Sequence, residues 1–496
     1  MATSLHQPSA THQQARARMI LAAAFLIAVA GDMLLRGGEP RLGFTLFIAL
    51  VTASAFVIGG RADRERNWLL AGTLVASLGL VLRDAEPLYA IDFLSVLCMG
   101  ALAVWHGSGR RLMKLEVLDA PRAAVLALLT TLVGAPEALR ATNGADVDTV
   151  ARTARTRALA IGVVLALPPL LLVVVLLGAA DEVFAGFIQN TIDFLALDGI
   201  QHVVVIVVLC WLALGWLLGT LAGSAVVKLP DVRSPGLPFA SASVGLYGLV
   251  LLLTLFLGTQ LGVLYGGAEY LRTTAGLTVA EYAREGFFQL VVVAGIVLVT
   301  LIAADWLVVR SDEAVRWYRA VGTVLVGLVA ALLVSAVARM WLYVSNFGLT
   351  IDRVMATSIF CWVLAALVTF ALTMLRGRGE RFAPAILMVT IGWVVALNAA
   401  NPEGIVVRTN LARAAAGKAF DAPYHAKLSA DALPALLAAA PTLPAKECAA
   451  LSESLKTVWK TRYERRSSWQ SLSLPYSRAV AAGAADGTLV RCAGGG

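Results

Sequence analysis

The sequence predicts an all-α fold: a polytopic transmembrane helix bundle that carries a small, mainly helical extracytoplasmic tail at its C-terminal end. Three observations predict it. The chain is 59% hydrophobic and only 15% charged, with a mean hydropathy of +0.79, whereas soluble domains run at about 45–50% apolar and about 25% charged. Its apolar residues come in blocks of roughly 17 to 25, the length a helix needs to cross about 30 Å of hydrocarbon. Its arginines cluster in short segments between those blocks, where a topology signal places them. No alternation over strands of about ten residues suggests a barrel. The net charge of +8 follows from the loop arginines, so nucleic acid is not an expected partner.

Taken in order, residues 1–18 form a short cytoplasmic segment with His6, His12, Arg16 and Arg18 ahead of the first apolar run. That run carries Gly31-Asp32 and Arg36 in place of a small-x-small cleavage pattern, so it reads as an anchor helix and not as a cleaved leader. About eleven spans are expected, near 19–36, 42–60, 68–83, 88–106, 157–179, 200–223, 241–265, 286–308, 320–343, 353–375 and 383–400. An N-in, C-out orientation puts Arg61, Arg64, Arg66, Arg110, Arg111, Lys114, Arg122, Arg310, Arg316, Arg319, Arg376 and Arg378 on the inside. The loop at 180–199, with Asp181, Glu182, Asp193 and Asp198 and no Lys or Arg, falls outside. Residues 122–134 are apolar but short and flanked by basic residues, which predicts an interfacial or re-entrant helix. Pro168-Pro169 interrupts the fifth span, either as a packing kink or as a broken helix lining a cavity.

Beyond Asn401-Pro402 the composition turns polar, so residues 401–496 form a separate extracytoplasmic unit following the membrane domain at 19–400. Ser429 is expected to cap a short helix, and residues 444–463 a second one with apolar positions at helical spacing. Cys448 and Cys492 are the tail's two cysteines, a candidate disulfide pair on the oxidising side. Cys98, Cys210 and Cys361 fall within spans, as packing residues.

Chemistry-bearing motifs are sparse. The histidines are scattered and neither HExxH nor CxxC occurs, so no metal site is expected. GxxxxGK[ST], GxGxxG after a strand and GxSxG are also missing, which argues against nucleotide hydrolysis, a dinucleotide cofactor or a hydrolase elbow. No cofactor is expected, and the balance leans away from an enzyme.

The most patterned polar stretch is Gly276-Leu277-Thr278-x-x-Glu281-Tyr282-Ala283-Arg284-Glu285-Gly286, echoed by Gly348-Leu349-Thr350-x-x-Arg353. Thr278-x-x-Glu281 has the form of a capping box, with Leu277 and Tyr282 as a hydrophobic staple; Thr350, Leu349 and Val354 repeat part of it. Both therefore read as helix starts at the outer surface. The capping pattern leaves Tyr282, Arg284, Glu285 and Gln289 unexplained. Glu281, Glu285 and Gln289 share one helix face, and Arg339 and Arg353 are cations near the same surface. Two readings follow: interfacial salt bridges that lock helix ends, or a polar vestibule formed by Tyr282, Arg284, Glu285, Gln289, Arg339 and Arg353 for a small polar or lipid-like ligand, joined by Asp32, Asp92, Asp181 and Glu182.

Five patches occur in order: Leu167-Pro168-Pro169-Leu170 with Gly178-Ala179-Ala180-Asp181-Glu182; the stretch at 276; Tyr343 with Gly348-Leu349-Thr350; Asn401-Pro402-Glu403 through Asn410-Leu411; and Leu428-Ser429-Ala430-Asp431-Ala432-Leu433. Across roughly 160–480 they resemble a bacterial family of polytopic inner-membrane proteins catalogued as a domain of unknown function. The resemblance implies a multi-pass protein of the bacterial inner membrane and carries over no catalytic residues. Two functions from different classes remain: transport or binding of a small polar or lipid-like ligand through the vestibule, and a non-transporting envelope scaffold or signalling protein whose external tail recruits a protein partner. Membrane lipid is an expected partner in both.

Overall fold

A computed structural model describes residues 10–36, 39–143, 173, 177, 181–184, 186–187, 200–221, 234–274, 287–308, 311–463 and 468–481. The described residues are all-helical, with one isolated bridge between Leu237 and Val308. The bundle is built from α1 (Ala10–Leu34), α2 (Arg41–Gly59), α3 (Arg64–Leu82), α4 (Glu86–Gly107), α5 (Asp119–Asn143), α6 (Ile200–Leu221), α7 (Phe239–Thr274), α8 (Phe287–Leu307), α9 (Asp312–Phe347), α10 (Ile351–Thr373) and α11 (Phe382–Ala400). The tail adds α12 (Pro402–Ala415), α13 (Ala422–Ala426), α14 (Leu433–Ala439), α15 (Ala445–Val458) and α16 (Leu474–Ala481).

Local chemistry fixes several helix starts. Asp63 caps α3 by accepting from Arg66 N–H at 3.1 Å, and Ser311 caps α9 by accepting from Ala314 N–H at 3.2 Å, with Asp312 and Glu313 in the first turn. Each side-chain oxygen satisfies an amide that the helix leaves unpaired, and the acidic first turn complements the helix dipole. Asn401 takes the left-handed conformation (φ 52°) between α11 and α12. Its Oδ1 accepts from Gly404 N–H at 2.9 Å, while Pro402 opens α12 at a position where no amide is needed.

Among the described residues, nine helices are long and apolar enough to cross a membrane, which makes this a multi-pass membrane protein. They correspond to nine of the eleven expected spans. The expected span at 68–83 coincides with α3, which is not among the nine because Arg64, Glu65 and Arg66 open it. The proline-interrupted span at 157–179 lies almost wholly outside the described residues. The apolar segment at 122–134 is the middle of the 25-residue α5, which packs against α1, α4 and α6. Its contact with α6 is backbone on backbone: a Cβ at Gly215 would collide with the carbonyl of Thr131, and one at Gly134 would lie 2.9 Å from Gly215 Cα. Trp211 Nε1 donates to Leu132 O across the same seam at 2.9 Å.

Several cores hold the bundle together, and α11 reaches from one side to the other, with Ala383 against the Trp105 core and Leu397 against Leu88 and Met355. Helices α1 to α6 enclose one core containing Ile27, Leu70, Leu214 and Leu217 and another around Trp105, Leu102 and Leu126. Helices α7 to α11 enclose a larger core that includes Leu301, Leu325, Leu333, Phe360 and Phe370. Large apolar side chains also face outward from the helices, among them Val57, Val244, Val299 and Trp341, as lipid solvation allows and water does not. Cys98 and Cys361 lie on this exposed surface instead of packing inside as expected, whereas Cys210 is half-buried.

Helix ends collect on two faces. One face carries the ends of α1, α3 and α11 and the starts of α2, α4, α6 and α10, and the tail sits on it: Gln470 Nε2 donates to Met33 O at 3.2 Å and Arg83 Nη1 to Asp431 Oδ1 at 3.2 Å. The opposite face carries the arginine-rich turns around 60–66, 107–122 and 376–381. The tail is a folded cap with its own core, built from Val406, Val407, Leu433, Leu436, Leu451 and Leu455. Cys448 within that core is disulfide-bonded; Cys492, its expected partner, lies outside the described residues.

Candidate functional site

The most unusual chemistry in the protein lies where the cap meets the bundle. Arg83 and Asp84 end α3 and lead into α4, Arg41 opens α2, Glu403 sits in the first turn of α12, and Ser429 and Asp431 belong to the turn before α14. All but Arg83 are buried: Arg41 is 3% exposed, Asp84 1%, Glu403 4%, Ser429 2% and Asp431 5%. The Asp431 carboxylate reaches from the cap to the start of α4, where Oδ2 accepts from Asp84 N–H at 2.5 Å and Ala85 N–H at 3.0 Å. Its Oδ1 lies 3.2 Å from Arg83 Nη1. A carboxylate here also faces the positive end of the α4 dipole.

Asp84 returns the contact. Its Oδ1 takes Ser473 Oγ–H at 3.2 Å and lies 3.4 Å from Arg41 Nε, while Oδ2 accepts from Ala430 N–H at 3.4 Å. Arg41 also donates to the carbonyls of Arg83 (3.1 Å) and Asp84 (3.3 Å) and stacks over the Tyr89 ring at 4.9 Å. Glu403 Oε2 accepts from both the N–H (2.8 Å) and the hydroxyl (2.5 Å) of Ser429.

The site thus brings three buried carboxyls, Asp84, Asp431 and Glu403, against two guanidiniums, Arg41 and Arg83. Among the described residues the carboxyls outnumber the guanidiniums here, and burying an unmatched negative charge is costly. Glu403 absorbs the difference. Burial, with the neighbouring charges of Asp431 and Asp84, pushes its carboxyl up to about 7 against the Ser429 hydrogen bonds. Burial likewise pushes Asp431 above the ordinary carboxylate range, opposed by the amides it holds and by Arg83.

A second clamp joins the cap to the α9–α10 turn. Asn410 Oδ1 accepts from Leu349 N–H at 2.8 Å and its Nδ2 donates to Leu349 O at 2.7 Å. His425 orders Asn410: Nδ1 donates to Asp421 O at 2.6 Å, leaving Nε2 to accept from Asn410 Nδ2 at 3.0 Å. That is the neutral imidazole, and burial pushes its pKa below the ordinary histidine value. Gly348 turns the chain with φ 84° and leaves no room for a Cβ beside Asn410 and Arg413.

Two expected caps are corrected here. Thr350 does occupy the N-cap position of α10, but its side chain makes no capping bond. The free Ile351 amide is taken instead by the Tyr424 hydroxyl at 2.9 Å, so the cap domain does the capping. Ser429 does not cap the following helix, which starts after Ala432, because Glu403 holds the Ser429 hydroxyl. The expected staple pair Leu349 and Val354 packs on the cap's core.

Of the vestibule residues, Tyr282, Arg284 and Glu285 lie outside the described residues, as do Thr278 and Glu281. Gln289 is exposed on α8 and Arg339 is half-buried on α9. Arg353 is absorbed locally: its Nη1 donates to the Gly348 carbonyl and its guanidinium stacks over Tyr343 at 4.3 Å. The acidic residues placed beside them by sequence separate. Asp32 pairs with Arg36 (2.6 Å) and His202 (3.0 Å); Asp92, fully buried, accepts from Asn398 Nδ2 at 2.8 Å. Asp181 and Glu182 are exposed, with Asp181 accepting from Phe184 N–H.

The family described as "Domain of unknown function (DUF4153)" matches residues 70–439. The chain belongs to that family. Searches of curated proteins and of solved structures return no match. The matched region of this DUF4153 member contains Arg83, Asp84, Glu403, Ser429 and Asp431. Arg41 and Ser473, which complete the junction, fall outside it on either side.

Sequence reasoning missed Arg41, Arg83, Asp84, Glu403 and Asp431 as a set. The signal available was their position at the ends of apolar blocks, together with the patches at 401–411 and 428–436; pairing them across more than 340 residues is a tertiary fact. Among the described residues of this DUF4153 member, no group of three or more His, Cys, Asp or Glu side chains could hold a metal ion. What the junction can do chemically is exchange a proton at Glu403 near neutral pH.

Proposed function

We propose that this protein is a non-transporting envelope scaffold or signalling protein, whose cap presents a surface to a protein partner in fixed register with the membrane bundle. The observation that carries the reading is the buried Arg41–Asp84–Asp431–Arg83 junction. A gate over a transport path must open readily, whereas removing one partner of a buried ion pair costs on the order of 3–5 kcal/mol. The disulfide-bonded Cys448 in the cap core supports a cap in an oxidising compartment, and the arginine-rich turns on the opposite face support the N-in orientation in a bacterial inner membrane.

Truncation after Ala400 and site-directed photocrosslinking from the exposed cap surface test it. The scaffold reading expects a discrete crosslinked species that disappears with D431A, a substitution that undocks the cap. Uniform absence of crosslinks, with ligand-dependent thermal stabilisation kept by the truncated chain, would overturn it in favour of transport. One observation favours that second reading: Asp92 and Asn398 form a buried polar pair between α4 and α11, and ionisable groups inside a membrane are commonly part of a ligand or proton path. Proteoliposome flux abolished by D92N would support it.

A further inference from the structure

On the face opposite the cap, α4 ends at Gly107 and the chain turns through a short 3-10 segment, Leu112–Lys114, before α5 begins. A cavity of about 310 Å³ opens there, lined by Trp105, Gly109, Arg110, Arg111, Lys114 and Asp119. Three cations thus face one carboxylate. The walls are built and not merely apposed. Trp105 is 1% exposed and forms the floor, with the Arg110 guanidinium stacked on its ring at 4.1 Å and that of Arg122 at 5.9 Å.

The loop that carries the cations is held from below. His106 Nε2 lies 2.8 Å from Asp63 Oδ2, its Nδ1 is 3.1 Å from Arg110 O, and Glu65 Oε2 accepts from Leu112 N–H at 3.1 Å. Acidic residues therefore support the loop backbone while leaving its cationic side chains to the cavity. Arg110 keeps only a long contact with Asp119 at 3.7 Å, and among the described residues no ion pair engages Arg111 or Lys114. Stacking on indole orients a guanidinium with its N–H edges free for a planar or tetrahedral oxyanion.

Apolar surface adjoins this basic cavity. Met113, in the segment that carries Arg111 and Lys114, is 71% exposed, and Val125 and Leu128 on α5, the helix that begins at Asp119, are 48% and 52% exposed. A soluble anion has no use for such a surface; an acyl chain does. We propose that the cavity binds the phosphodiester of an anionic phospholipid headgroup, with the guanidiniums of Arg110 and Arg111 and the ammonium of Lys114 on the phosphate and the acyl chains along the exposed face of α5. The chemistry shared with a free phosphate is the oxyanion; the adjoining apolar face selects the lipid. The proposal does not depend on the role of the cap.

Native mass spectrometry of the full chain in detergent, titrated with phosphatidylglycerol and with phosphatidylcholine, tests it. The expected result is preferential retention of phosphatidylglycerol, reduced on the order of tenfold in R111Q/K114Q, with R316Q, an exposed arginine on the same face, unchanged. Among the described residues neither Arg111 nor Lys114 supports the fold through an ion pair, so the double variant is expected to keep its melting temperature; R110Q/R111Q/K114Q then removes the remaining preference. Equal retention of the two lipids, or an unaltered preference in R111Q/K114Q, overturns the proposal. Full displacement of phosphatidylglycerol by millimolar inorganic phosphate would overturn the lipid assignment and leave a soluble phosphate site.

Discussion

The carboxylate of Asp431 holds the backbone amides of Asp84 and Ala85 across the boundary between cap and bundle, at 2.5 and 3.0 Å. Residues 347 positions apart in the chain thereby share one buried contact, and Arg83 and Arg41 balance the charge on its two sides. Replacement of Asp431 by Ala leaves two amides and Arg83 Nη1 without their acceptor. The expected cost is about 3–5 kcal/mol, seen as protease sensitivity and faster hydrogen exchange within 401–481 while the bundle stays protected. Asn at this position keeps one acceptor and loses less.

Glu403 makes the junction sensitive to pH. Its carboxyl is raised from 4.5 to about 7 in the folded protein. The native state therefore keeps a proton that the unfolded chain releases between those values, and stability falls as pH rises through that window. The ceiling on the loss is on the order of 3 kcal/mol. Thermal unfolding of E403Q, which retains an uncharged side chain at every pH, is expected to be flatter between pH 5 and 8 and to lie above the wild type at pH 8. An E403Q protein with the same pH profile as the wild type would exclude Glu403 as the source.

The acid side is governed by His425. Burial lowers its pKa from 6.5, so its neutral form contributes stability that is present above the unfolded value and lost as pH falls below it through the folded one. Protonation replaces the acceptor at Nε2 by a donor facing Asn410 Nδ2. Exchange of the Leu349 amide is expected to quicken on acidification. Asn410→Ala reproduces the effect at neutral pH, at about 1–3 kcal/mol for the unpaired backbone groups.

Close approach of α5 and α6 rests on Gly215. Gly215→Leu is expected to push Thr131 aside and to destabilise the protein by about 1–3 kcal/mol. Gly245→Ala, where a Cβ meets nothing within 4 Å, is expected to be neutral or stabilising by up to about 1 kcal/mol through helix propensity. Melting temperatures of the two variants in one detergent make the comparison.

Membrane character and most helix positions were legible in the sequence because hydrophobic block length is a local property: a run such as 383–400 is apolar whatever packs against it. Helix α3 blurred the count because Arg64, Glu65 and Arg66 polarise its start. The two N-caps failed for a related reason. Thr350 and Ser429 have the right chemistry for capping, but Tyr424 and Glu403, distant in sequence, compete for the same groups and prevail.

By itself, then, the sequence determined a helical membrane bundle with a polar tail, since the transfer of apolar residues from water to lipid depends on composition over one helix length. Only the tertiary structure decided that the tail is a cap docked through buried charges. Arg41, Asp84, Glu403 and Asp431 look like ordinary interface residues when read one at a time; their shared burial, which shifts Glu403, exists only once four distant segments meet.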